Sequence, residues 1–425
     1  LVKNKHWAIY TTDLFDSRRF SHEISRRVLE EYFPELIDKK GELFSNAILD
    51  QLIEEESRHE IFELTEKEIR GIRTYSSGEQ KKALLEYLLA KNPDFIILDS
   101  PFDNLDKQSQ EELKQNLKDL AERLSIIQVL KRKSDMLPFI NEVIQIKNDE
   151  ITFFGSREKF LQQGAGEENF FFKGIIPSPE NACEEIPNPL IKFTNVSVKY
   201  EDRQIVRGIN WEVKNGEFWH LIGPNGSGKT TLLSLLTGDN PKAYGQDLML
   251  FSRKKGSGES VWEVKKNIGY FTPSMTQLFR GRHTLKQMVI SGFMDSIGLY
   301  QRPSTFQKQL ANQWIELCGF SHLKSQPFVK LSKGHQCVTM IIRAMVKHPP
   351  LLILDEPSTG LDDYHASMVV ALINKIAKES ATSIIYVSHR SEPKLKPEFT
   401  YELIPGGYGS TGRAHDHRKN LINEM

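Results

Sequence analysis

Gly223-Pro224-Asn225-Gly226-Ser227-Gly228-Lys229-Thr230 reads G-x-x-x-x-G-K-[ST], and its setting decides the fold. An apolar run, Trp219–Ile222, precedes it, and a helical run, Thr231-Leu232-Leu233-Ser234-Leu235-Leu236, follows it. Strand, loop and helix in that order give this spacing its chemistry. The glycines let successive backbone N–H groups curl round phosphate oxygens. The helix N-terminus adds partial positive charge. Lys229 is placed to reach β- and γ-phosphates, and Thr230 offers a hydroxyl to Mg²⁺. The bland alternative is a glycine-rich turn with no ligand.

Companion residues further along weigh against that alternative. Leu351–Pro357 reads LLILDEP, a buried-strand pattern ending in Asp355, which is placed to hold Mg²⁺ directly or through water. Glu356 follows it and is placed to orient or deprotonate an attacking water. Alone, Asp-Glu-Pro after a strand is a turn; behind a phosphate loop it is a catalytic candidate. His389 closes the next strand, Ile384–Val387, where it can contact a γ-phosphate.

Working outward, the same pattern recurs in the first half. Phe95–Pro101 reads FIILDSP, and Ser125–Arg132, SIIQVLKR, answers Ser383–Arg390, SIIYVSHR. Asp99 and Asp355 are 256 residues apart, and so are Ser76 and Ser332. A constant offset argues for an internal duplication. Trp7-Ala8-Ile9-Tyr10 resembles Trp219-His220-Leu221-Ile222 at the shorter offset of 212, so the first copy is abbreviated. It also lacks counterparts of the upstream strands Ile191–Tyr200 and Ile205–Val213. Gly164–Pro189, rich in Gly, Glu, Asn and Pro, reads as a linker. The division expected is 1–163, a linker at 164–189, and 190–425. Phe170-Phe171-Phe172 is expected to pin the linker onto a cassette by packing.

The bounds are ordinary. The 425 residues suffice for two or three domains, and the net charge of zero gives no bulk attraction to nucleic acid or anionic membrane. No apolar run approaches bilayer-spanning length. The opening residues lack a basic-then-apolar pattern, so no secretory leader is expected. Cys183, Cys318 and Cys337 form no C-x-x-C pair and read as reduced thiols without a metal role. A cytoplasmic protein is expected, peripheral at the inner face of the plasma membrane if a permease partners it.

These residues together resemble an ABC-type ATPase. The resemblance implies an α/β fold with two fused P-loop cassettes. The first is degenerate; the second is complete, with an antiparallel β subdomain and a helical subdomain. It implies Walker A at Gly223–Thr230 with Thr231 beside it, Walker B at Leu351–Asp355, catalytic Glu356, a D-loop at Ser358–Asp362, and switch His389. Thr230 and Asp355 would hold Mg²⁺, and Tyr200 sits where the family stacks an aromatic ring on adenine. In the family two cassettes face head to tail, and each ATP lies between the Walker motifs of one and the signature, LSGGQ, of the other.

The first copy carries Tyr75-Ser76-Ser77-Gly78-Glu79-Gln80 and the second Leu331-Ser332-Lys333-Gly334-His335-Gln336. Ser77 is small enough for backbone to approach a γ-phosphate, whereas Lys333 would crowd it. Ser76 and Glu79 also form a capping-box pattern, which is compatible with a phosphate contact because both use the helix N-terminus. In the first copy, Thr11–Arg18 occupy the Walker A positions without a glycine or a lysine, Ser100 replaces the catalytic Glu, and Lys131 replaces the switch His. Micromolar binding needs about −8 kcal/mol. A helix N-terminus alone supplies roughly 0.3–2 kcal/mol toward an anion. The losses are paired: intact Walker set with serviceable signature, missing Walker A with Lys333. One working ATP site of an intramolecular cassette pair is expected, using Ser76, Ser77 and Gly78, and one defunct site.

A narrower resemblance, to the ModF-type tandem ATPases, rests on the unequal layout, on Gly256–Ser260 followed by Val261–Lys266, and on Ser291-Gly292-Phe293 with Asp295–Tyr300. It implies the ATP-binding component of a molybdate-type transport system working with a separate permease. Against coupling to a standard permease, Thr272-Pro273-Ser274 stands where the family has a Gln, and Gln277 comes three residues after Ser274. The competing reading is a soluble non-transport ATPase acting on a macromolecule or as a nucleotide switch.

Overall fold

A computed structural model describes residues 4–12, 31–59, 64, 71–147, 150–163, 170–179, 186–279, 281–296, 298–390, 392 and 394–418. The chain divides into two compact units, Leu1–Glu168 with Gly360–Tyr364, and Asn169–Thr359 with His365–Met425.

The first unit is built on six strands: β1 His6–Thr11, β2 Gly41–Phe44, β3 Phe95–Asp99, β4 Ser125–Leu130, β5 Glu142–Lys147 and β6 Glu150–Ser156. They lie in the order β2-β3-β4-β1-β5-β6, parallel except for the final β5–β6 pair. The apolar runs FIILD and SIIQVL become central strands because both faces are covered. Ile96, Ile126 and Val143 line one face with the helices Ser77–Ala90 and Lys107–Ala121; Trp7, Ile127 and Ile144 line the other.

The second unit has a sheet of the same design: β9 Phe218–Ile222, β12 Ile268–Phe271, β13 Leu351–Asp355, β14 Ser383–Val387, β15 Phe399–Ile404 and β16 Thr411–Asp416. Their order, β12-β13-β14-β9-β15-β16, repeats the first sheet strand for strand. The register repeats too. Phe95 pairs with Ser125 and Ile126 with His6 in the first unit; Leu351 pairs with Ser383 and Ile384 with Phe218 in the second.

The second unit adds an antiparallel sheet of β7 Ile191–Tyr200, β8 Arg203–Val213, β10 Leu248–Leu250 and β11 Arg253–Lys254, in the order β11-β10-β7-β8. Trp211 of β8 stacks on Tyr401 of β15 at 4.6 Å and seals the two sheets round one apolar core. Helices Leu285–Ser291, Thr305–Leu317 and Lys333–Met345 form the helical part. There the buried Arg343 donates to Ser291 Oγ (3.0 Å) and Ser296 O (2.9 Å), which ties the Ser291–Ser296 stretch to the last of these helices.

The three phenylalanines anchor the connecting segment only in part. Phe170 and Phe172 pack ring to ring at 5.2 Å, but Phe171 is exposed. Ile176 is the buried anchor, and its N–H donates to Glu379 Oε2 (3.2 Å). Among the described residues no helix is long and apolar enough to cross a membrane. Cys318 and Cys337 are buried free thiols, and burial pushes both well above the ordinary thiol range. Cys183 lies outside the described residues.

Candidate active site

The phosphate loop hangs between β9 and the helix Lys229–Thr237, which Gly228 caps at φ 100°. That backbone excludes a side chain twice over. The angle is left-handed, and a Cβ on Gly228 would come within 2.6 Å of Val206 Cγ1. Lys229 is folded back on the loop, its Nζ donating to Gly223 O (2.6 Å) and Pro224 O (3.0 Å). Ser227 Oγ is buried with no hydrogen-bond partner, while Asn225, Gly226 and Thr230 are exposed. The loop therefore presents its open side and the head of its helix to solvent. Thr231 follows Thr230 in the first turn of that helix.

Asp355 ends β13. Burial, reinforced by the neighbouring Glu356 carboxylate and opposed by Lys229, pushes its carboxyl up to about 6. A desolvated carboxylate near a phosphate loop suits a cation. Magnesium takes one or two protein oxygens and completes its shell with phosphates and water. Thr230 and Asp355 fit that pattern, although the described residues contain no cluster of three His, Cys, Asp or Glu that could hold a metal unaided.

Glu356 adopts φ 53°, a strained conformation for a residue with a side chain. The turn is held by Glu356 N–H donating to Val387 O (2.9 Å). It aims the carboxylate at the end of β14, where Oε1 accepts from His389 N (3.0 Å) and lies 2.8 Å from His389 Nδ1. Thr359 Oγ1 donates to the other oxygen (3.3 Å). With Nδ1 engaged, His389 Nε2 is buried and has no hydrogen-bond partner. Tyr200 ends β7, its ring 42% exposed, and its Oη accepts from Asn240 Nδ2 (2.7 Å). Tyr200, Gly223–Thr231, Asp355, Glu356 and His389 thus all belong to the second unit, and Ser76, Ser77 and Gly78 to the first.

The signature segments share a serine cap and a glutamine tie. Ser76 caps Ser77–Ala90 with the expected capping box: Glu79 N–H donates to Ser76 Oγ (3.3 Å), and Ser76 N–H to Glu79 Oε2 (2.7 Å). Ser332 caps Lys333–Met345 by accepting from His335 N–H (3.3 Å), with His335 Nδ1 also 2.6 Å from its hydroxyl. Gln80 Nε2 donates to Ile72 O and Gln336 Nε2 to Phe328 O, each at 3.1 Å. The shared glutamine is therefore a structural tie. Lys333 is exposed at the first position of its helix.

In the first unit Thr11 closes β1, and residues 13–18 of the expected Walker A positions lie outside the described residues. Ser100 keeps the strained turn, φ 46°, but its hydroxyl donates to Asp99 Oδ1 (3.1 Å). Gln277 is exposed in the short helix Pro273–Leu278.

Several neighbours of the site escaped sequence reading. His220 of β9 is half-buried, and its desolvation holds the imidazole down to about 4 against the opposing pull of Glu356 and Glu392. It is neutral at physiological pH. Ser358 Oγ donates to the buried Glu392 and lies 3.3 Å from Tyr386 Oη. Asn240 orients Tyr200. Of these only the Gly-Asp-Asn turn, Gly238–Asn240, carries a local signal, as a helix stop.

A phosphate loop on a parallel sheet, with paired carboxylates and a histidine at the ends of the next two strands, defines an ABC-type P-loop ATPase cassette. Comparison with known proteins agrees. The family model described as ABC transporter matches residues 206–359. The ABC transporter ATP-binding protein ModF of Escherichia coli (strain K12) is 38% identical over 335 residues, covering 76% of this chain and 68% of that protein. An uncharacterized ABC transporter ATP-binding protein of Schizosaccharomyces pombe, C323.04, is 30% identical over 320 residues, covering 74% of this chain and 64% of that protein. A model of ribosome-bound archaeal Pelota and ABCE1 matches with a TM-score of 0.64 at 13% identity, over 99% of this chain and 76% of that chain, a likeness of fold. The chain belongs to the ABC transporter ATP-binding proteins, in the ModF-like group, and is an ATPase.

Proposed function

We propose that the chain binds one Mg²⁺·ATP and hydrolyses it at a single composite site. The second unit supplies Gly223–Thr231, Asp355, Glu356 and His389, and the first supplies the signature Ser76-Ser77-Gly78. The observation that carries this reading is the intact Lys229–Asp355–Glu356–His389 set in one unit, against Ser100, Lys131 and a loop without glycine or lysine in the other.

Magnesium, held by Thr230 and Asp355, would neutralise phosphate charge when bound. The chain's own residues do the rest. Loop amides and Lys229 take the β- and γ-phosphates, which requires Lys229 to leave the carbonyls of Gly223 and Pro224. Glu356 orients the attacking water and accepts its proton. His389, fixed through Nδ1, presents Nε2 toward the γ-phosphate. The first unit's candidate contribution is the N-terminus of the Ser77–Ala90 helix, capped by Ser76.

Biologically, the reading best supported is the ATP-binding component of an ABC transport system of molybdate type, energising a separate permease. Its support is the ModF-like resemblance. The missing Gln at Thr272 favours a second reading, a non-transport ATPase acting on a macromolecular partner. Co-purification from membranes tests the choice. Recovery with a permease supports transport, and sedimentation with ribosomes or DNA supports the alternative.

A further inference from the structure

A cavity of about 690 Å³ opens beside the phosphate loop, lined among others by Tyr200, Arg203, Ile205, Gly226 and Tyr408. Tyr408 stands in the turn Pro405-Gly406-Gly407-Tyr408-Gly409-Ser410 between β15 and β16. That turn is pinned to β8: Ser410 N–H donates to Ile205 O (2.8 Å), and Ser410 O accepts from Arg207 N–H (2.8 Å). Gly409, at φ 90°, lies so close to β8 that a Cβ would come within 2.7 Å of Gln204 Cγ. Gly228 of the phosphate loop rests on the same strand at Val206. One strand therefore fixes both the turn and the loop.

On this fixed turn the Tyr408 ring is 80% exposed. An aromatic ring held in water on a pinned, glycine-rich turn lacks a packing role and is suited to a planar ligand. Tyr200, also on the cavity wall, is steadied by Asn240, and Gly226 places the phosphate loop on the same cavity. The one amide side chain of the lining, Gln204, donates its Nε2 to the carbonyls of Val198 (3.2 Å) and Val206 (2.8 Å). The cavity thus offers two ring faces, with the charged side chains of Glu201, Asp202 and Arg203 on the same lining.

We infer that Tyr408 is the second wall of the nucleobase site, so that the purine of a nucleoside triphosphate enters between Tyr408 and Tyr200 while its phosphates lie in Gly223–Thr230. The inference rests on the nucleotide site proposed above. Stacking of a base on an aromatic side chain is worth about tenfold or more in affinity. Calorimetric titration of the full chain with Mg²⁺·ATP and with Mg²⁺·tripolyphosphate, which has no base, tests it. Tyr408→Ala is expected to weaken ATP about tenfold and leave tripolyphosphate unchanged. Tyr408→Phe is expected to bind both like the parent. Unchanged ATP affinity in Tyr408→Ala, or equal loss of both ligands, overturns the clamp. A parent chain that binds neither ligand overturns the underlying nucleotide site instead, and the clamp with it.

Discussion

In the first unit the residue after the β3 aspartate is Ser100; in the second the residue after the β13 aspartate is Glu356. Both hold a left-handed backbone, at 46° and 53°. Around them the two units keep the same strand order, the same register and the same glutamine tie at 3.1 Å. The buried Lys81 fills the place of Cys337: Lys81 Nζ donates to Pro101 O (2.7 Å), as Cys337 Sγ donates to Pro357 O (2.9 Å). What differs is the sequence at the phosphate-facing positions: Ser100 stands where the second unit has Glu356, and Lys131 where it has His389. Packing and backbone hydrogen bonding hold a sheet together whether or not it binds a ligand. The strained turn persists in the first unit without the carboxylate that gives it a purpose in the second. The scaffold and its chemistry are therefore separable, and the first unit retains as a candidate contribution only its signature helix N-terminus.

The sharpest break in the comparison is Lys229→Ala. Removing the charged donor from the one complete loop is expected to weaken ATP by more than about 100-fold, or ~3 kcal/mol, measured by equilibrium titration. Residual tight binding would mean that the first unit holds nucleotide after all. Next come the paired changes Ser76→Arg and Ser332→Arg. Both remove a helix cap and are expected to lower stability alike, by ~1 kcal/mol. Only Ser76→Arg is expected to cut hydrolysis, on the order of 100-fold, while leaving ATP binding within a few-fold. A larger activity loss from Ser332→Arg would reverse the assignment of the two signatures.

The smallest effect concerns the desolvated aspartate. Asp355 titrates at about 6 when folded against an ordinary 3.8, so its ionisation costs stability as the pH rises through that window. Asp355→Asn is expected to stabilise the nucleotide-free protein by ~1–3 kcal/mol above the window and not at all below it. Thermal or denaturant unfolding across the window checks this, and a pH-independent difference would refute the cause given.

Much of this was legible because duplication made the sequence its own template. LLILDEP and FIILDSP at a constant offset place two parallel strands, and the loop between Ile222 and Lys229 places the site. The pairing of Ser76 with Glu79 announced a cap that the structure contains. The illegible part is contact between positions remote in sequence. Tyr408 and Tyr200 share a cavity because β8 pins the Pro405–Ser410 turn and pairs with β7, which ends in Tyr200. Glu392 meets Ser358 across 34 residues, and no local pattern announces it. The phenylalanine triplet misled in part because composition says that rings pack without saying which one does; Phe171 faces water, and Ile176 is the anchor.

Counting bound nucleotide tests the two-unit contrast most directly. Titrating the full chain with a nonhydrolysable ATP analogue and Mg²⁺ should saturate at one molecule per chain, and at none in Lys229→Ala. Saturation at two per chain, or one per chain surviving in Lys229→Ala, would contradict the account.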